Sequence, residues 1–164
     1  MLDAGAILRD GALLSLGASS LIMGTLRVNP RLFMRHFPDT VRRTQAPLSA
    51  RERIAGGVVA LGLALLLLGV PIVSASAYAA ASSDIAYVEV FFHAFAVGMV
   101  FNLIDWLVLD ELWLGGLRPS WALPPDLDPA AIPFEHSRHF RAFLSGTLVC
   151  AAVGLVATLV VVMR

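Results

Sequence analysis

The sequence has no lysine, a single cysteine and little charge of either sign: 15% of its 164 residues are charged, against about 25% in an ordinary soluble domain. Together with 58% hydrophobic residues, that scarcity excludes a water-soluble enzyme domain and a disordered tail. The lone Cys150 lies within an apolar run, which excludes a disulfide framework and any CxxC metal or redox motif. There is no GxxxxGKS-type phosphate loop, nucleophile elbow, HExxH motif or CxxCH haem attachment. No internal repeat is detectable, so the inverted-repeat logic of secondary transporters finds no footing. The absence of lysine leaves twelve arginines as the only basic residues, a bias that codon usage in a GC-rich genome suffices to explain.

What the chain does have is four apolar stretches, each of a length suited to crossing a bilayer. The fold class expected is therefore all-α, an integral membrane bundle of four transmembrane helices in a single membrane domain over residues 1–164, with spans near 11–28, 54–73, 85–112 and 141–163 and loops at 29–53 and 113–140. The first stretch, Gly11 to Val28, covers about 27 Å as a helix. Only Arg9 precedes it while Arg27, Arg31 and Arg35 follow, the reverse of a cleavable signal peptide, so it reads as an uncleaved anchor. Ser49 and Glu52 have the spacing of a capping box that starts the second helix. Asp84 is the expected N-cap of the third, and Pro133 fits the first turn of the fourth. The uncharged segment Ser74 to Ser83 reads as a short turn between spans two and three.

Ten of the twelve arginines fall in loops one and three, which makes that side cytoplasmic and both termini external in a bacterial inner membrane. Loop one alternates Leu32, Phe33, Met34, Phe37 and Val41 with Arg31, Arg35, Arg42 and Arg43, the pattern of a short amphipathic helix on the bilayer surface, bent near Pro38. Those four arginines are expected at anionic lipid headgroups. Nucleic acid is not an expected partner, because topology already requires the basic residues. Loop three, Gly115 to Pro133, is proline-rich and reads as an irregular cover. Small residues at four-residue spacing (Gly146, Cys150, Gly154, Thr158; Gly56, Ala60, Ala64; Gly11, Ser15, Ser19) predict close helix packing, either within the bundle or in a homo-oligomer or a membrane partner.

Ionisable groups inside a span carry the functional expectations, since each costs about 2.5–3.5 kcal/mol at the helix centre. Span three contains Glu89, His93, Asn102 and Asp105. Glu89 and His93 share one face and Asn102 and Asp105 the roughly opposite one, at 100° per residue. These four are the candidates for ligand binding or proton relay. Asp105, Asp110 and Glu111 at the end of span three, with His136 and His139 at the start of span four, form a candidate mixed N/O site for a divalent metal, His36 being a further neighbour.

The segment FNLIDWLVLDELW (Phe101 to Trp113) together with HFRAFLSG (His139 to Gly146) resembles small bacterial polytopic inner-membrane proteins of unassigned activity. It carries Asn102, Asp105, Asp110 and His139 of that pattern, with Ala142 where a glycine is expected. The resemblance implies a bacterial inner-membrane location and no mechanism. Three functions remain open: transfer of protons or small cations, or binding of a small ligand, along span three; a non-catalytic accessory or assembly subunit; and a metal-dependent enzyme at the membrane surface.

Overall fold

A computed structural model of the chain describes residues 2–37, 39–81, 85–124, 127 and 135–163, with the backbone alone at Thr40. Four long helices form the bundle: α1 (Ala4–Val28), α3 (Ala50–Ala80), α4 (Tyr87–Ile104) and α5 (His136–Val162), with a short α2 (Asp39–Thr44) in the first loop. Each long helix, α4 together with its continuation to Leu117, is long and apolar enough to cross a membrane. Expectations at Asp84, Pro38 and Pro133 fall outside the described residues.

The helix starts follow from local chemistry. Asp3 caps α1, its carboxylate accepting from the Ala6 amide at 3.0 Å, which begins the helix seven residues before the apolar run and places Arg9 and Asp10 within it. At the far end the Asn29 amide donates to Thr25 O, its side chain accepts from the Arg31 amide, and Pro30 opens a 3₁₀ turn, Pro30–His36. The capping box at Ser49 and Glu52 is present in both directions and starts α3. That helix passes through Pro71 and on to Ala80, so most of the turn expected from Ser74 is helical. Hydropathy falls at Ser74, but the run SASAYAA has no helix breaker and ample alanine.

The third span changes its winding midway. After Ile104 it continues as a thirteen-residue π-helix, Asp105–Leu117, in a protein class where π-turns normally come singly. Arg118, the only described non-glycine residue with positive φ (45°), ends it in the left-handed conformation, its guanidinium donating to Gly115 O at 2.8 Å.

Helix α4 packs against α1, α3 and α5. Leu14 and Ala18 of α1 meet Val97 and Phe101 of α4 in one core cluster, and Ala75, Val90, Ala94 and Ala157 join α3, α4 and α5 in a second. Close approach rests on glycine. A Cβ on Gly146 would lie 2.1 Å from Asn102 Oδ1, one on Gly154 2.9 Å from the Phe91 ring, and one on Gly11 2.6 Å from Val100 Cβ. The seams on α1 and α5 therefore face α4 inside the bundle, as packing in lipid demands. The outer faces are the reverse of a soluble protein's: Leu148 is 73% exposed, Leu16 67% and Val58 65%. Large apolar side chains outside and small or polar ones inside describe a bundle whose solvent is lipid.

Candidate functional site

The most buried polar chemistry lies where α1, α3 and α4 meet, at the end of the bundle away from the arginine-rich loop. His93 of α4 is completely buried. Its Nε2 is 2.9 Å from Ser74 Oγ of α3, and that hydroxyl donates to Asp10 Oδ2 of α1 at 2.6 Å. Asp10 in turn is paired with Arg9 at 2.7 Å. The Tyr78 ring, one turn beyond Ser74, stacks on the imidazole with centroids 4.5 Å apart and planes 9° from parallel, and its hydroxyl donates to Glu89 Oε2 at 3.4 Å.

A serine hydroxyl has one proton, so the directions in this chain are constrained. With the proton directed to Asp10, the Ser74 oxygen accepts from His93 Nε2–H, the tautomer that leaves a lone pair on Nδ1. That Nδ1 is buried and has no hydrogen-bond partner among the described residues. An unmet buried acceptor costs about 1–3 kcal/mol, so His93 holds an open valence at the end of a hydrogen-bonded chain linking three helices.

Asn102, on the opposite face of α4, is bonded across to α5 through its amide nitrogen. Its amide donates at 3.1 Å to both Phe143 O and Thr147 Oγ1 of α5, and its oxygen lies over Gly146. It is a clamp between two helices. Of the residues expected on span three, the structure thus brings Glu89 and His93 to one cluster and Asn102 to another, with Asp105 one turn further, at the start of the π-helix.

The residues expected to form a metal site come together two by two. His136 Nδ1 is 2.6 Å from Glu111 Oε2 and His139 Nδ1 3.1 Å from Asp110 Oδ2, so adjacent acids of the π-helix reach two positions of α5. Among the described residues no group of three or more His, Cys, Asp or Glu side chains is placed to hold a metal ion. Beside them Trp106 stacks on Phe143 and meets the Phe140 ring at a tilt of 55°. Arg138 donates to the carbonyls of His36 and Phe37, which fastens loop one to α5.

Within loop one, Arg31 turns inward. Its guanidinium donates to Glu52 Oε1 at 2.9 Å and to Ala46 O at 2.9 Å, and Asn29 reaches the same carboxylate oxygen at 3.2 Å. Of the arginines expected at headgroups, Arg31 thus ties the loop to the start of α3, while Arg35, Arg42 and Arg43 stay exposed. Arg42 bonds Asp39 at 2.6 Å.

Sequence expectations placed no function on Asp10 or Ser74. Asp10 was hidden by its neighbour Arg9 ahead of the apolar run, and Ser74 by its position in an expected turn. The signal available was the polar residue type on a helix end that faces a buried histidine.

In comparisons with protein-family models, curated proteins and solved structures, nothing matches this chain. The four apolar helices and their inward polar clusters make it a small polytopic membrane protein.

Proposed function

We propose that this protein takes up and hands on protons within the membrane, using His93 as the acceptor and Ser74 and Asp10 as the hydrogen-bonded path behind it. The observation that carries this reading is the buried, unpartnered Nδ1 of an imidazole whose other nitrogen already engages the Ser74–Asp10 pair. Protonation at Nδ1 creates an imidazolium held by the Asp10 carboxylate through one hydroxyl, a compensated charge in a medium that penalises isolated ones. Imidazole is the side chain suited to reversible loading near neutral pH. Tyr78 covers the ring face, and Glu89, bonded to the Tyr78 hydroxyl, adds a carboxylate at the outer end of the same cluster. Asp105 is the proposed acceptor near the opposite end, about 18 Å along the span, with Asn102 fixing the helix between them. In this reading the arginine-rich loops face the cytoplasm and the His93 end faces outward, in a bacterial inner membrane.

The test is proton flux into proteoliposomes carrying a trapped pH-sensitive dye. His93→Gln, Ser74→Ala and Asp10→Asn should each slow acidification at least tenfold, and Asp105→Asn should slow it as well, while the purified variants still melt cooperatively. Flux equal to wild type in the His93 and Asp10 variants overturns the proposal. Loss of melting cooperativity without any wild-type flux favours an assembly role, which the Asn102 clamp over Gly146 would serve.

A further inference from the structure

Loop one carries seven arginines, Arg27 to Arg53, against two acids, Asp39 and Glu52. Both acids are already engaged: Glu52 by Arg31 and Asp39 by Arg42. That leaves Arg27, Arg35, Arg43, Arg51 and Arg53 exposed and without a carboxylate partner among the described residues. Several are nonetheless fixed in place. The Arg27 guanidinium lies 5.6 Å from the Trp121 ring centroid, Arg35 Nε donates to His36 at 3.2 Å, and Arg53 donates to Leu48 O at 2.8 Å. The loop beneath them is held by the Arg31–Glu52–Asn29 knot and by the buried Val41. It spans from the end of α1 to the start of α3, so these charges stand at the edge of the hydrocarbon layer.

A second observation points to the occupant. Arg51 begins a stripe on α3 that continues through Ile54, Val58, Leu61 and Leu65, at helical spacings of three and four. These four apolar side chains are between 60% and 69% exposed. A cation at the head of an outward apolar stripe matches one molecule with an anionic head and a hydrocarbon tail. The stripe faces lipid like the other outer surfaces of the bundle, so the anion that meets these arginines beside it is one already joined to a hydrocarbon tail.

We propose that loop one and the adjoining face of α3 form a docking ledge for acidic phospholipids, the headgroup phosphate lying among Arg35, Arg43, Arg51 and Arg53 and an acyl chain along Ile54 to Leu65. Each basic residue near an anionic membrane surface contributes about 1 kcal/mol, which corresponds to roughly fivefold in retention. The ledge is distinct from the proton path and does not depend on it.

The experiment adds phosphatidylglycerol or phosphatidylcholine to the full chain in mild detergent and counts retained lipid by native mass spectrometry. Because lipid is returned to solubilised protein, the orientation of the chain in the membrane does not enter. Phosphatidylglycerol should be retained in preference. The triple variant Arg35→Gln, Arg43→Gln, Arg51→Gln should lose most of that preference, and the same three positions as lysine should keep it. Equal retention of the two lipids, or undiminished phosphatidylglycerol on the glutamine variant, overturns the proposal and leaves the arginines with topology alone. Should the glutamine variant not fold, the wild-type chain decides: its preference must collapse in high salt, and persistence there is equally fatal.

Discussion

The two faces of α4 treat their polar residues in opposite ways. Asn102, toward α5, has its amide protons shared between two acceptors and its oxygen pressed over a glycine. His93, toward α1 and α3, is more deeply buried and has one nitrogen unmet. Both are costly in an apolar setting, yet Asn102 recovers part of its cost by placing its amide protons on two acceptors of the neighbouring helix, whereas one His93 nitrogen recovers none. Within this one span, the bonding of the side-chain nitrogens is what distinguishes the Asn102 joint from His93.

The largest effect expected is on the joint. Gly146→Ala puts a Cβ 2.1 Å from Asn102 Oδ1, and overpacking of this kind typically costs about 1–3 kcal/mol. It should lower the melting temperature in detergent clearly, and adding Asn102→Ala should recover part of the loss. A double-mutant cycle with no coupling between these positions would break the comparison at its satisfied side. Next comes the unsatisfied side. Ser74→Ala removes the link between His93 and Asp10, and stranding both is expected to destabilise by about 1–2 kcal/mol, read from the same melting curves. If Ser74→Ala instead stabilises the fold, the three-helix chain is not formed.

A smaller effect belongs to the acid–imidazole pairs. His136 is largely exposed, so Glu111→Gln should change stability by well under about 1 kcal/mol. Asp110→Asn, at the less exposed His139, should cost more. The reverse order would show that the outer pair holds the π-helix to α5. The smallest effect is a pH dependence of loop one. Loss of water around the His36 ring, together with Arg35 and Arg138, lowers its pKa, while Asp110 acts in the opposite sense. A histidine whose folded-state pKa is depressed favours the folded loop in its neutral form. Stability is thus present above its ordinary value of 6.5 and declines as pH falls through that value. Protection factors of amides 31–37, taken relative to the intrinsic base-catalysed exchange rate at each pH, should fall on acidification from pH 7.5 to 5.5, and His36→Gln should abolish the change.

The architecture was legible because four long apolar runs leave few alternatives to four spanning helices, and the Ser49–Glu52 spacing marked a helix start directly. The opposition of His93 and Asn102 was also legible, since an unbroken α-helix runs through both. Legibility stopped where the winding changed. Residues beyond Ile104 follow a π period, so angles projected at 100° per residue no longer apply, and the pairing of Asp110 with His139 and Glu111 with His136 follows from the altered winding. Asp10 and Ser74 were illegible for a different reason. Each is unremarkable within its own helix and acquires meaning only when three helices are brought side by side.

Cys150 gives the bundle a built-in gauge. Its sulfur lies 3.0 Å from where a Gly98 Cβ would be, in the seam between α4 and α5, and it is the chain's only thiol. The thiol is half-buried, so any motion that parts those helices should expose it further, and any label attached there is unique. A faster reaction of Cys150 with a lipid-soluble maleimide in a variant than in the wild-type chain therefore reports a looser seam between the central helix and its neighbour, with no engineered thiol in the protein.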